Sequence, residues 1–257
     1  MDISIIIINY QSQELLKKCI KSINENLEEL KAEIIIVNND SKKIVLDKEP
    51  NRKTLSIEII ESGTNLGFAK ACNSGAKKAR GKFILFLNPD AFLTNNSLLE
   101  AINYLEKNPD TGALGGKIIE NKTGAPQPWT SGKKTSLNKI LFKNTIAKPW
   151  KKNRVTKVDW VSGTALLTPK ETFFQIGGFD ENFFMYFEDQ DYCLRVKNIG
   201  KKVVFHPEFQ ITHYNGKSWS DKKKQKKQYF RSQQIFFKKH MPFQAKALNI
   251  LHKLLMP

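Results

Sequence analysis

Cysteine is scarce in this chain of 257 residues: Cys19, Cys72 and Cys193 stand far apart and form no CxxC pair. That spacing argues against a disulfide framework or a thiolate zinc site and fits a reducing cytosol. Long apolar runs are missing as well, and none approaches the roughly 20 residues that span a bilayer. The opening run Ile3–Ile8 follows Asp2 and stops at Asn9, so no secretory leader is expected. Familiar chemical signatures are also absent. No GxGxxG follows a strand pattern, Gly115-Gly116-Lys117 lacks the rest of a phosphate loop, and neither HExxH nor GxSxG occurs. Acidic residues are few in one half only. Residues 1–130 hold 17 Lys and Arg against 16 acids, whereas residues 131–257 hold 25 against 9, so nearly all of the +17 net charge lies in the second half. A field of that sign calls for an anionic partner: nucleic acid, an anionic membrane surface or a phosphorylated substrate.

What is present is an alternation of strand and helix patterns. Ile3–Ile8 is a β-branched run suited to a strand buried on both faces. Leu15, Leu16, Cys19, Ile20 and Ile23 then recur at helical spacing behind Ser12, a candidate cap. Strands follow at Ile34–Val37, Ile57–Ile60 and Phe83–Leu87, and helices at Phe68–Arg80 and Asn95–Glu106, the last ended by Pro109. Residues 120–156 read as a surface excursion with a short helix around Leu137–Phe142. Val158–Thr168 resumes as a strand, Glu188–Asn198 as a helix, and Lys202–Phe205 and Gln210–His213 as two short strands. This is an α/β pattern: a mostly parallel sheet with helices on both faces, followed by basic C-terminal helices. Ligands of such sheets bind beyond the carboxyl ends of the strands, which directs attention to Asn9–Gln11, Asn38–Ser41 and Asn88–Asp90. An acid at the mouth of a buried strand, as Asp90 is, can hold a divalent cation that neutralises a diphosphate. Its competing role is to cap a turn.

The polar clusters, taken in order, resemble family-2 glycosyltransferases of the GT-A fold, and within them the rhamnosyltransferase-like branch of bacterial polysaccharide biosynthesis. The matching segments are Ile5–Ser12, Ile34–Ser41, Asn65–Ala69 with Asn73 and Gly75, Phe86–Ala91, Trp160–Ala165, Gly177–Asp191, His213 with Gly216 and Ser218, and Arg231-Ser232 with Lys239-His240. The resemblance implies a metal-dependent, inverting hexosyltransferase. Its donor is a nucleotide-diphosphate sugar, dTDP- or UDP-linked, with rhamnose a candidate sugar. Its acceptor is a hydroxyl of a glycan or lipid-linked glycan.

By the same resemblance Asn9, Tyr10, Asn38, Asn39, Asn65, Gly67, Asn73, Asn88 and Asp90 bind the donor. Amides and carboxylates at the first two strand ends would pair with the base and ribose. Gly67 would let backbone approach closely, while the following helix start offers N–H groups to a phosphate or hydroxyl. Mg²⁺ or Mn²⁺ would sit on Asp90 and His213. Asp189 would be the general base, its pKa raised by an apolar wall and by neighbouring Glu188, which orients the site. Trp160, Gly163 and Asp191 would meet the acceptor. Residues 1–217 would form the catalytic domain, with a nucleotide-binding half at 1–119 and an acceptor half at 157–217. Residues 218–257 would form a basic helical appendage.

In that appendage Lys222, Lys223, Lys224, Lys226 and Lys227 precede Tyr229, Phe236 and Phe237, an apolar stripe under a cationic face. An anionic membrane surface is the partner expected for it, giving a cytoplasmic enzyme peripheral to the inner face of the membrane. Nucleic acid is not expected, because the N-terminal half is neutral and no recognition motif occurs. A basic nucleic-acid-binding protein and a nucleotidyltransferase remain the alternatives.

Overall fold

A computed structural model describes residues 1–46, 52–137, 140, 153–214 and 221–255. The first half is built as the apolar pattern requires. Strand β1 (Ile3–Asn9) pairs in parallel with β2 (Ala32–Asn38) and β4 (Phe83–Leu87), and β2 with β3 (Leu55–Glu61). Alternate residues of β1 serve opposite faces. Ile3, Ile5 and Ile7 join a core under helices α1 (Gln13–Glu25) and α3 (Ser97–Lys107). Ile6 and Ile8 join a second core under α2 (Phe68–Ala76). With both faces covered, no residue of β1 could be polar at its centre without a partner. Ser4 obeys that rule by donating to Glu33 at 2.6 Å.

Helix α2 stops at Ala76, short of the Arg80 expected from its pattern. Glu33 is the physical reason. Its carboxylate takes the Arg80 backbone N–H at 2.6 Å and the guanidinium Nε at 2.7 Å, which pulls Arg80 out of the helix. Strand β5 (Ala91–Leu93) and strand β6 (Thr111–Glu120) then follow, the latter in a stretch whose glycines hide its strand character. A Cβ on Gly115 would meet Val161 at 2.5 Å, so those glycines admit close neighbours and do not cradle phosphate.

The segment Val158–Thr168 is not one strand. It divides into β8 (Thr156–Val158), β9 (Trp160–Val161) and β10 (Ala165–Pro169), with β9 paired to the short β7 (Ser131–Gly132). The break falls at Ser162–Thr164, where the Gly163 N–H is captured by Asp189 rather than by a sheet partner. After α4 (Lys170–Gln175) and α5 (Glu188–Asn198), the two short strands expected at 202–213 form one strand, β11 (Lys202–His213). An irregularity between His206 and Gln210 takes up Pro207, which has no N–H to give the ladder.

Among the described residues the main sheet runs β3-β2-β1-β4-β10-β6-β11-β5, with β8 on the side of β11. It is parallel from β3 to β4, and β10 brings in the antiparallel pairing. Helices α6 (Lys222–His240) and α7 (Pro242–Leu255) end the chain. Phe236 and Phe237 are buried with Phe183 and Phe187, so the aromatic stripe of α6 packs onto the body of the protein. The five lysines at 222–227 remain exposed. Gly216 and Ser218, and most of the helix expected at Leu137–Phe142, lie outside the described residues.

Candidate active site

The parallel register carries polar side chains to one end of the sheet. Asn9, Asn38 and Glu61 stand opposite one another at the carboxyl ends of β1, β2 and β3. Asn9 donates to Asn38 at 3.0 Å, and Asn38 donates to Glu61 at 2.6 Å and to the Lys42 carbonyl at 2.7 Å. Both asparagines are buried behind the surface, and the residues after them reach the opening. There Tyr10, Ser12, Asn39 and Asn65 line a cavity of about 560 Å³, together with Asn88, Pro89 and Asp90 beyond β4. Its far wall carries Trp129, Trp160, Gly163, the run Met185–Gln190, and Gln225 and Tyr229 from α6.

Asn39 and Asn65 brace the near wall. Asn39 donates to Asn65 at 3.0 Å and accepts the Leu66 N–H at 2.8 Å, while Asn65 accepts the Gly67 N–H at 3.0 Å. Phe68 N–H goes to the Phe184 carbonyl at 2.6 Å. The N–H groups of Leu66, Gly67 and Phe68 are thus held by the protein itself. Gly67 is required for a different reason. Its φ is +83°, and an added Cβ would lie 2.6 Å from the Phe184 carbonyl oxygen. Asn73 is likewise a clamp, bonded to both the N–H and the carbonyl of Phe179 at 2.9 and 2.8 Å and to Glu181 at 3.0 Å. It does not line the cavity.

Asp90 meets His213 because β5 pairs with β11, which sets Ala91 against His213. Their side chains approach to 3.2 Å (Oδ1 to Nε2), and His213 Nδ1 lies 2.9 Å from Gln127 Oε1. In the tautomer that donates Nδ1–H to Gln127, Nε2 would turn a lone pair towards the carboxylate, an arrangement suited to a cation shared between them. The described residues hold no group of three or more His, Cys, Asp or Glu that could bind a metal. Two protein donors still suit Mg²⁺ or Mn²⁺, which complete their shells with phosphate oxygens and water.

Across the cavity, Tyr186 and Phe187 both take left-handed backbone, with φ of +71° and +69°, immediately before α5 begins. Two such residues in a row cost a few kcal/mol and fix how the first turn of α5 presents its acids. Asp189 accepts the Gly163 N–H at 2.9 Å and the Gln190 N–H at 2.7 Å. Burial raises its carboxyl above the ordinary value, and those N–H groups pull it part of the way back. Glu188 is raised well above its ordinary value by burial and then by the charge of Asp189, and its Oε2 is buried with no partner. Burial is the leading cause of the shift in Asp189.

Asp191 is placed elsewhere. It faces away from the cavity and is fully buried, bound by Arg195 at 2.8 Å and by Lys239 and His240 at 2.7 Å each. That site ties α5 to the end of α6, away from the residues that line the cavity. Trp160 and Gly163 do line the cavity. The sequence reading missed Trp129, Tyr186, Gln225 and Tyr229. Trp129 lies in a Pro- and Thr-rich stretch without periodicity, and Tyr229 reads as part of a packing stripe.

The fold, with its cavity at the strand ends, is that of the GT-A glycosyltransferases. A mannosyltransferase from Pyrobaculum calidifontis, solved with GDP-Man and Mn²⁺, superposes with a TM-score of 0.63 at 15% identity, over 96% of this chain and 68% of that one. Residues 4–164 match glycosyl transferase family 2, and the chain belongs to that family. Among relatives, rhamnosyltransferase WbbL of Escherichia coli is 29% identical over 82% of this chain and 82% of its own length. The N-acetylglucosaminyl-diphospho-decaprenol L-rhamnosyltransferase of Mycobacterium tuberculosis is 25% identical over 63% of this chain, which spans 60% of that relative.

Proposed function

We propose that the protein is an inverting glycosyltransferase of cell-surface polysaccharide synthesis. In this reading a sugar passes from a dTDP- or UDP-linked donor, rhamnose being the candidate, to a hydroxyl of a glycan or lipid-linked glycan. The observation that carries it is one cavity with two unlike ends: Asp90, backed by His213, beyond β4, and buried Glu188 with half-buried Asp189 at the start of α5.

Tyr10, Asn39, Asn65 and Asn88 would receive the donor, with Asn9 and Asn38 fixing the strand ends behind them. A divalent cation on Asp90 and His213 would supply charge neutralisation for the departing diphosphate. Asp189 would take the proton from the acceptor hydroxyl as it attacks. Its raised pKa suits it to that proton, and the Gly163 N–H holds its other oxygen in place. Sugar transfer in a single displacement needs no covalent intermediate. Names of the relatives support the sugar and the lipid-linked acceptor as candidates.

We assign residues 1–217 to the catalytic domain and 218–257 to a basic helical appendage, whose helix α6 also lends Gln225 and Tyr229 to the cavity. Among the described residues no helix is long and apolar enough to cross a membrane. The exposed lysines of α6 and Phe243, 96% exposed at the start of α7, fit peripheral binding to an anionic membrane surface on the cytoplasmic side. No nucleic acid is required to account for the charge. Hydrolysis of a panel of nucleotide sugars, with and without Mn²⁺, tests the reading. Turnover of one donor that chelator abolishes is the expected result, and tight duplex DNA binding with no nucleotide-sugar turnover would overturn it.

A further inference from the structure

The cavity lining includes aromatic side chains that the fold buries only in part. Trp129 is 47% exposed on left-handed backbone, φ +62°. Its flanks are pinned. Gln127 N–H bonds the Ile118 carbonyl of β6 at 2.8 Å, and the Thr130 carbonyl accepts from Ser162 at 2.8 Å. A strained backbone therefore presents a large indole that gains little packing in return. Tyr229, 37% exposed, comes from α6. Its ring is set against Tyr186 and Phe187, with centroids 5.7 and 5.2 Å away, and Gln225 one turn earlier donates to the Tyr186 hydroxyl at 3.0 Å. Tyr229 and Asp189 line the same cavity. Beside them Glu188 Oε2 is buried and unpartnered.

Such a wall combines apolar ring surface with an unsatisfied carboxylate oxygen. A pyranose has the same two-sided character: a C–H face that lies against an aromatic ring, and hydroxyls around its edge. We propose that Trp129 and Tyr229 form a stacking platform for a pyranose ring of the acceptor, with a ring hydroxyl filling the vacant partner position of Glu188. The terminal sugar of the acceptor, and not its lipid or phosphate, is then what the enzyme grips, and α6 is part of the acceptor site. This rests on the glycosyltransferase reading above.

The test uses the full chain with its donor and a panel of methyl pyranosides, followed by calorimetry and by acceptor KM. The wild type should bind at least one pyranoside. Tyr229→Ala should weaken that binding and raise acceptor KM by tenfold or more, Tyr229→Phe by less than threefold, and Trp129→Ala by tenfold or more. Nucleotide-sugar affinity should stay within twofold in all three. Thermal melts within a few degrees of wild type exclude misfolding, and Tyr229→Phe gives a second measure if the alanine variant melts. The platform is overturned if no pyranoside binds a donor-competent wild type, if the alanine variants leave its affinity unchanged, or if donor affinity falls in step. A wild type that binds no nucleotide sugar instead sinks the glycosyltransferase reading itself.

Discussion

Replacing Asp191 by Asn should cost more stability than any other single change of one carboxylate here. The side chain is fully buried, and two cations, Arg195 and Lys239, converge on it together with the His240 imidazole. Burial alone would raise its carboxyl. The hydrogen bond from His240, the charge of Arg195 and the hydrogen bonds of Lys239 and Arg195 reverse that and hold it at about 2. Asn keeps the shape and removes the charge, leaving the half-buried Arg195 without its counter-ion. Breaking a buried pair from one side costs about 3–5 kcal/mol.

The sign with pH follows from the lowered carboxyl. Folded Asp191 binds its proton more weakly than in the unfolded chain, so its stabilisation is complete above about pH 5 and is lost as pH falls towards 2. A carboxyl held at about 2 in place of 3.8 is worth about 2 kcal/mol at neutral pH. Urea unfolding followed by tryptophan fluorescence, for wild type and Asp191→Asn between pH 7 and 3, measures both. Glu188 and Asp189 titrate in each protein, so the difference between the two curves isolates Asp191. That difference should be about 3–5 kcal/mol at pH 7 and narrow as the solution is acidified. A difference below 1 kcal/mol at pH 7, or one that does not depend on pH, would refute the ionic account of this site.

Other outcomes follow from the same structure. Asp189→Asn should retain donor affinity while transfer drops by roughly 10²–10⁴-fold, and Glu188→Gln should be milder; loss confined to donor affinity would remove Asp189 from the base role. With Asp189 raised by burial, the acid limb of kcat should lie above the ordinary carboxylate range in a pH–rate profile. Asp90→Ala should abolish metal-stimulated turnover with little change in melting temperature, and undiminished transfer in chelator-treated buffer would count against the metal site. Gly67→Ala should destabilise the near wall, because its Cβ would press on the Phe184 carbonyl at φ +83°; an unchanged melt and unchanged donor affinity would contradict this. Replacing Lys222, Lys223, Lys224, Lys226 and Lys227 by Gln should abolish sedimentation with anionic vesicles while sparing transfer to a short soluble acceptor; equal sedimentation would show that α6 is no tether.

The amino-acid sequence by itself determined the strands and helices that bury one continuous apolar face. Ile3–Ile8, Ile34–Val37 and Phe83–Leu87 carry enough β-branched and aromatic surface that only a covered sheet satisfies them, and the polar residues that stop them mark the cavity edge. Asp90 was therefore legible as a candidate from the strand it follows, whereas Glu188 and Asp189 were singled out by the family resemblance, and all three line one cavity. Where glycine stood in for side chains, as in Thr111–Glu120, the pattern was silent, because those glycines answer to Val161 and Phe209, residues far along the chain. Tertiary structure decided what each polar group faces. Asp189 and Asp191 are two residues apart on one helix, about 200° around its axis, so one turns to the cavity and the other to Arg195, Lys239 and His240. Helical periodicity could separate the two faces, but only the packing of α6 against α5 shows which is filled by protein and which is left open.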